Sequence, residues 1–209
     1  MSSERTWTAR AASFPFQTDV RRRSRSVRSW ARLTVCVEQT MTERMRIAAS
    51  YFQRLIDHTP ASEAVWEIAA MWRPRVTQIE PWFGLSFAEH NVQMVLIYTG
   101  EVGNGGHTQF FQNRAGRIVS HVQGALAEIR LIELSELLRT AVALFPGEVV
   151  PLEPDAVDRV VDSWDDAVLE RLAALDRRVW NVRDVDQHLI EYLRRNQRDV
   201  VRPERGIPD

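Results

Sequence analysis

The chain has 209 residues and an apolar fraction of 44%, an ordinary globular composition that fits one domain plus an appendage. All 27 basic residues are arginine, as GC-rich coding produces, and the absence of lysine excludes a P-loop lysine, a Schiff-base lysine and a Ser-Lys dyad. The single Cys36 rules out an internal disulfide, and no apolar run approaches the roughly 18 residues of a membrane span, so a reducing cytoplasm is the expected compartment.

The net charge of −1 hides a division. Residues 1–46 hold ten Arg against four acids, and the remainder holds 17 Arg against 24 acids. The first 42 residues show no sustained periodicity and cluster Arg21, Arg22, Arg23 and Arg25 beside Arg28 and Arg32. They read as a disordered arm that binds nucleic acid or folds back on the acidic domain, as a targeting segment, or as sequence ahead of a true start at Met41.

From Arg44 to Asp57 the residues Met45, Ile47, Ala48, Tyr51, Phe52 and Leu55 recur at helical spacing, and Pro60 closes that helix. Ser62 is placed to cap the next, which presents Val65, Ile68, Ala69 and Trp72 before Pro74. After a loop around Pro81–Gly84, a helix showing Phe87, Asn91, Met94, Val95 and Tyr98 on one face runs into a glycine-dense turn. Ile118–Ala127 and Leu131–Leu144 read as two more helices, ended by Phe145-Pro146-Gly147. Pro154 opens a helix expected to reach about Leu175, and Asp184 with Gln187 has the spacing of a capping box for a last helix ending near Asn196. No strand-like alternation exceeds a few residues. The expected fold class is all-α: a single multi-helix domain of about seven to nine helices over residues 43–200, with a flexible tail at 201–209.

The glycine-dense turn organises the rest. Four of the nine glycines fall within Gly100–Gly106, which marks backbone that takes positive φ or comes close to a neighbour. Behind it, Phe110 and Phe111 are flanked by Gln109, Gln112 and Asn113, amides expected to satisfy carbonyls left open at the preceding helix end. Gly116 stands where a C-terminal cap is expected. The run Asn104-Gly105-Gly106-x-x-Gln109-Phe110-Phe111-x-Asn113-x-x-Gly116 resembles the signature of the DNA mimic protein 19 family, a bacterial all-helical domain. The resemblance extends from about Trp66 to Asn196 and takes in Ala141–Pro146, the Leu175-Asp176 pair and Leu189–Leu193. It implies a protein-binding rather than catalytic function. The family's namesake is similar to a homodimer whose acidic surface imitates DNA phosphates and occupies a DNA-binding transcription regulator. It brings no catalytic residues and no cofactor.

Glu89, His90, Glu101 and His107 bracket the turn, but the two His are 17 residues apart and neither has a second ligand one turn away, so no metal site is expected. Gly100-x-x-Gly103-x-Gly105-Gly106 follows a helix rather than a strand and lacks the G-x-G-x-x-G spacing of a phosphate loop. Ser86, Ser120 and Ser135 lack a nucleophile elbow. Trp164, Trp180 and Tyr192 fall on apolar faces and read as core. A hydrolase around His107 remains the least favoured alternative, behind a small helical binding or immunity-type module without phosphate mimicry.

One surface feature points to a partner. In the helix expected from Pro154, the acids Asp155, Asp158, Asp162, Asp165, Asp166 and Glu170 step by three and four residues and fall within an arc of roughly 140°. That places about one carboxylate per 4 Å of helix, close to the phosphate spacing of one DNA strand. Arg159 lies in the same arc. The expected partner is a basic protein such as a DNA-binding regulator, with no direct nucleic-acid binding by the domain and no membrane.

Overall fold

The computed structural model describes residues 47–72 and 84–202. All of them belong to one unit, Thr42–Asp209, and the expectations for the arm fall outside the described residues. The described chain is all-α apart from one short pair. Strand β1 (Ile47–Ala48) lies parallel to β2 (Val201–Arg202), with Ile47 opposite Val201. Residues 201–202, expected to open the flexible tail, are thus tied to the start of the domain.

Helix α1 (Ala49–His58) buries Phe52, Leu55 and Ile56. Helix α2 (Ala61–Trp72) starts directly after Pro60, whose carbonyl accepts from the Ala64 N–H at 2.9 Å. Ser62 therefore lies inside the first turn rather than capping it, since proline already fixes the helical entry. The apolar positions Ala64, Val65, Ile68, Ala69 and Trp72 face the core at the spacing read from the sequence.

Helix α3 (Phe87–Ile129) is 43 residues long and opens with a capping box, Ser86 with Glu89. It is not a rod. His90 and His121 would be about 46 Å apart along a straight helix, yet their ring centroids are 5.1 Å apart. Tyr98 meets Phe110 at 5.1 Å, and the Glu101 carboxylate bonds Asn113. The helix therefore folds back on itself, and the reversal falls at Gly106, with φ +76°. The glycine turn is real, but it is one residue wide and sits between two helical arms. Gly116, expected as a C-cap, lies within the returning arm, and the helix runs on to Ile129. Its hydrogen serves another purpose: the N–H donates to Pro151 O at 2.8 Å, and a Cβ there would strike Val150 O and lie 2.7 Å from Pro151 O.

Arg130 closes α3 in the left-handed conformation, with Leu131 N–H returning to Leu126 O at 2.9 Å. Helix α4 (Ile132–Val142) follows, then a 3-10 turn at Pro146–Glu148. The helix expected to run from Pro154 to Leu175 is two helices, α5 (Pro154–Val161) and α6 (Asp166–Asn181). Two local features break it. Trp164 turns inward against Phe145, with ring centroids 5.0 Å apart, and Asp165 caps α6 by accepting from Val168 N–H at 2.9 Å. A side-chain cap competes directly with helix continuation.

Helix α7 (Val185–Arg195) and the short α8 (Gln197–Val200) complete the domain. The Asp184–Gln187 capping box does not form. Asp184 takes φ +60°, its side chain caps nothing, and its carbonyl accepts from His188 N–H and Nδ1 instead. One apolar core joins these elements, with Trp72, Tyr98, Tyr192, Phe52, Phe110 and Phe111 among its largest fully buried side chains. Asn91 Nδ2 donates to Tyr192 OH at 2.8 Å inside it, tying α3 to α7. Of the aromatics expected in the core, Tyr192 is buried, Trp164 is half-buried, and Trp180 is 58% exposed.

The glycines give substitutions of opposite sign. Gly106→Ala is expected to lower stability by about 1–3 kcal/mol, because it combines positive φ with a Cβ 3.0 Å from Asp176 Cγ. Gly100→Ala and Gly103→Ala, in helical backbone with open space around them, should each raise stability by about 0.5–1 kcal/mol. Urea denaturation of the three variants measures this, and a Gly106→Ala variant as stable as wild type would place the reversal elsewhere.

Candidate functional site

A sharp helical reversal strands backbone groups, and the structure satisfies them with side chains from α6. Asp176 Oδ1 accepts from the His107 backbone N–H at 2.9 Å and from His107 Nδ1 at 2.5 Å. It therefore caps the returning arm of α3 from another helix. One turn further along α6, Trp180 Nε1 donates to Val102 O at 3.2 Å, on the arm before the reversal. The indole keeps one edge wet because its N–H has this fixed task. His107 is fully buried, and its Nε2 lies 2.9 Å from Tyr98 OH. In the hydrogen-bond assignment that uses every group, Nδ1–H donates to Asp176 and the Tyr98 hydroxyl donates to Nε2. Burial first, then the Asp176 carboxylate, pushes the Tyr98 phenol far above its ordinary range, so it remains a donor.

A second polar knot closes the hairpin from outside. Glu101 Oε2 accepts from Gln109 Nε2 and Asn113 Nδ2, each at 2.9 Å, while Oε1 accepts from Arg114 Nε at 2.8 Å. Burial raises the Glu101 pKa, but the bonds from Gln109, Asn113 and Arg114 and the Arg114 charge together hold it below its ordinary value. The amides thus serve a carboxylate rather than open helix carbonyls. Gln112 and Asn104 face solvent. Gly105 leaves the space that the Gln109 side chain occupies. Phe110 and Phe111 are fully buried and continue through Phe145 to Trp164 as a chain of ring contacts.

The four residues weighed as a metal or acid-base site are thereby dispersed. Glu89 caps α3, His90 packs on His121, Glu101 holds the amides and His107 holds Asp176. Among the described residues there is no group of three or more metal-capable side chains.

The six acidic candidates lie outside this machinery. Asp155 and Asp158 are on α5, Asp162 ends it, Asp165 caps α6, and Asp166 and Glu170 occupy its first turns. All are exposed except Asp158, which is half-buried. No salt bridge neutralises any of them among the described residues. They form two short arrays, because the break at 162–165 interrupts the single stripe.

Tyr98, Asp176 and Arg114 carry the hairpin without having been singled out from the sequence for that role. Asp176 lies 69 residues from His107, and no local pattern links the two.

The two knots respond to pH and substitution in distinct ways. Asp176→Ala, which strands two buried donors of His107, is expected to cost about 2–4 kcal/mol. Glu101 has a depressed native pKa, so its stabilisation is fully present above the ordinary value of 4.5 and is lost as pH falls through the native value. The stability gap between wild type and Glu101→Gln should therefore be widest near pH 7 and close on acidification. Denaturant titrations in steps downward from pH 7 measure it, and a gap that did not begin to narrow below the ordinary value of 4.5 would mean the carboxylate charge is not what holds Gln109, Asn113 and Arg114.

Among the described residues, no helix is long and apolar enough to cross a membrane. The chain matches no curated protein and no solved structure. The family model described as "DMP19-like protein" matches residues 84–196, which run from the start of α3 through the hairpin, the Asp176 latch and α7. The chain belongs to the DMP19-like protein family.

Proposed function

We propose that this protein is a non-catalytic binding module whose acidic α5–α6 face occupies a basic, DNA-gripping surface of a partner protein, such as a transcription regulator. The observation that carries the reading is the set of six carboxylates on two successive helices, exposed or half-exposed and free of salt bridges among the described residues. Unneutralised acids at this density attract a surface built to hold phosphates and exclude acidic partners by repulsion. The break between α5 and α6 divides the charge into Asp155-Asp158-Asp162 and Asp165-Asp166-Glu170, so the match to a phosphate row rests on local density in each half. Membership in the DMP19-like family is consistent with this use of the surface.

His107 supports the non-catalytic side of the reading. Its ring is fully buried and both nitrogens are engaged, which leaves a hydrolytic water no approach. A second reading, a binding module with an apolar contact, is favoured by Leu152 and Leu169, 60% and 40% exposed, the latter between Asp166 and Glu170.

The test is capture of partners from the host on immobilised wild-type chain and on an Asp158→Asn, Asp162→Asn, Asp166→Asn variant. Asp165 is left in place because it caps α6. The wild type should retain a DNA-binding protein that duplex DNA displaces, with binding falling steeply between roughly 50 mM and 500 mM salt. The variant should lose it by at least about tenfold while keeping the helical spectrum. Equal retention by the variant, or indifference to salt, would move the assignment to the apolar contact.

A further inference from the structure

Opposite in sign to the acidic face, a groove of about 380 Å³ opens where the end of α3 meets one face of α7. It is lined by Ile129, Arg130, His188, Glu191, Arg194 and Arg195. The α7 residues share a face by helical spacing. Three arginines and one histidine line it with a single carboxylate, Glu191, and guanidiniums gathered along a concavity repel one another unless an anion joins them.

The Arg195 guanidinium lies over the Tyr192 ring, 6.0 Å from its centroid, and leaves its N–H groups to other partners. Arg130 and Arg195 make no salt bridge among the described residues, and Arg194 makes a long, half-exposed one to Asp57 at 3.3 Å. Such a surface pair contributes little and yields readily. Arg194 and Arg195 also complement the negative end of α7, but that does not account for Arg130. Arg130 occupies the left-handed position after α3, φ +67°, inside a paired-bond helix stop in which Leu131 N–H reaches Leu126 O and Arg130 N–H reaches Ala127 O. Glycine is the residue this position favours, and a β-carbon there is strained. The chain bears that strain and thereby fixes a guanidinium at the rim of the groove.

We infer that this groove is a binding site for a small phosphate monoester of about mononucleotide size. Planar guanidinium forks engage phosphate oxygens two at a time, which a carboxylate ligand would exploit less fully with three forks present. The site is separate from the α5–α6 face and stands whether or not that face binds a DNA-gripping partner.

The experiment is calorimetric titration of the full chain with inorganic phosphate, AMP and a short oligonucleotide without terminal phosphates, alongside thermal melts. The decisive variant is Arg130→Gly, which removes the guanidinium and relieves the backbone, so folding is not at risk. It should melt about 2–4 °C higher than wild type. Wild type should bind AMP with Kd below about 1 mM. Arg130→Gly and Arg195→Gln should each weaken that by about tenfold, and Arg139→Gln on α4 should leave it unchanged. Three results would each overturn the assignment: no heat with AMP or phosphate, unaltered AMP affinity in Arg130→Gly, or an oligonucleotide bound more than about tenfold tighter than AMP, which would point to a nucleic-acid strand instead.

Discussion

One carboxylate oxygen holds the domain's central element in shape. Asp176 Oδ1 takes both the backbone N–H and the Nδ1–H of His107, immediately after the residue at which α3 reverses. Without that acceptor, a fully buried imidazole and the first amide of the returning arm would lack their partner, at a cost comparable to a large share of a domain's net stability. The reversal needs a residue at positive φ, the absence of a β-carbon beside Asp176 needs glycine, and Gly106 meets both demands. Trp180, one turn from Asp176 on the same face of α6, holds the other arm by Val102 O. Two side chains of one helix thus clamp the two arms of another.

The consequences extend through the core. Because the arms lie side by side, Tyr98 packs edge-to-face against Phe110, and the ring chain passes through Phe111 and Phe145 to Trp164. Trp164 is pulled inward at the place where α5 gives way to α6, so the break in that helix and the hairpin belong to one packing arrangement. Gly116 admits the extended segment at Val150-Pro151 against the returning arm, which brings the chain into α5 from the hairpin's flank. Each signature glycine answers a different neighbour.

What the sequence disclosed follows from the range of the forces involved. Helical periodicity is local, so α1, α2 and α7 and the all-α class were legible, and the density of glycine in an otherwise glycine-poor chain located the turn. The ends of elements were read less well, because they are decided by whichever cap is nearest. Proline displaced Ser62, and the Asp165 side chain ended a helix that periodicity alone would have continued. Asp184 and Gln187 had the spacing of a capping box, yet Asp184 is at φ +60° and cannot present its oxygen to the first turn. The partner of His107 was invisible for a different reason. A contact across 69 residues is set by how α6 crosses the hairpin, which no window of sequence contains.

This geometry also explains why the signature identifies the family and is silent about function. Gly105, Gly106, Gln109, Phe110, Phe111, Asn113 and Gly116 are each committed to an internal neighbour, while Asn104 of the motif faces solvent. A motif engaged, but for Asn104, in folding one hairpin can recur wherever that hairpin is needed, whatever the surface around it does. Function has to reside in side chains the hairpin does not use. On this domain the two proposals place it on surfaces of opposite predominant charge: carboxylates along α5 and the start of α6, with Arg159 among them, and guanidiniums where α3 and α7 end, with Glu191 among them. Neither group stabilises the fold through ion pairing on its own helices, since neither the six acids nor Arg130 and Arg195 enter a salt bridge among the described residues. Charges that a fold leaves unspent on itself remain available to whatever binds it.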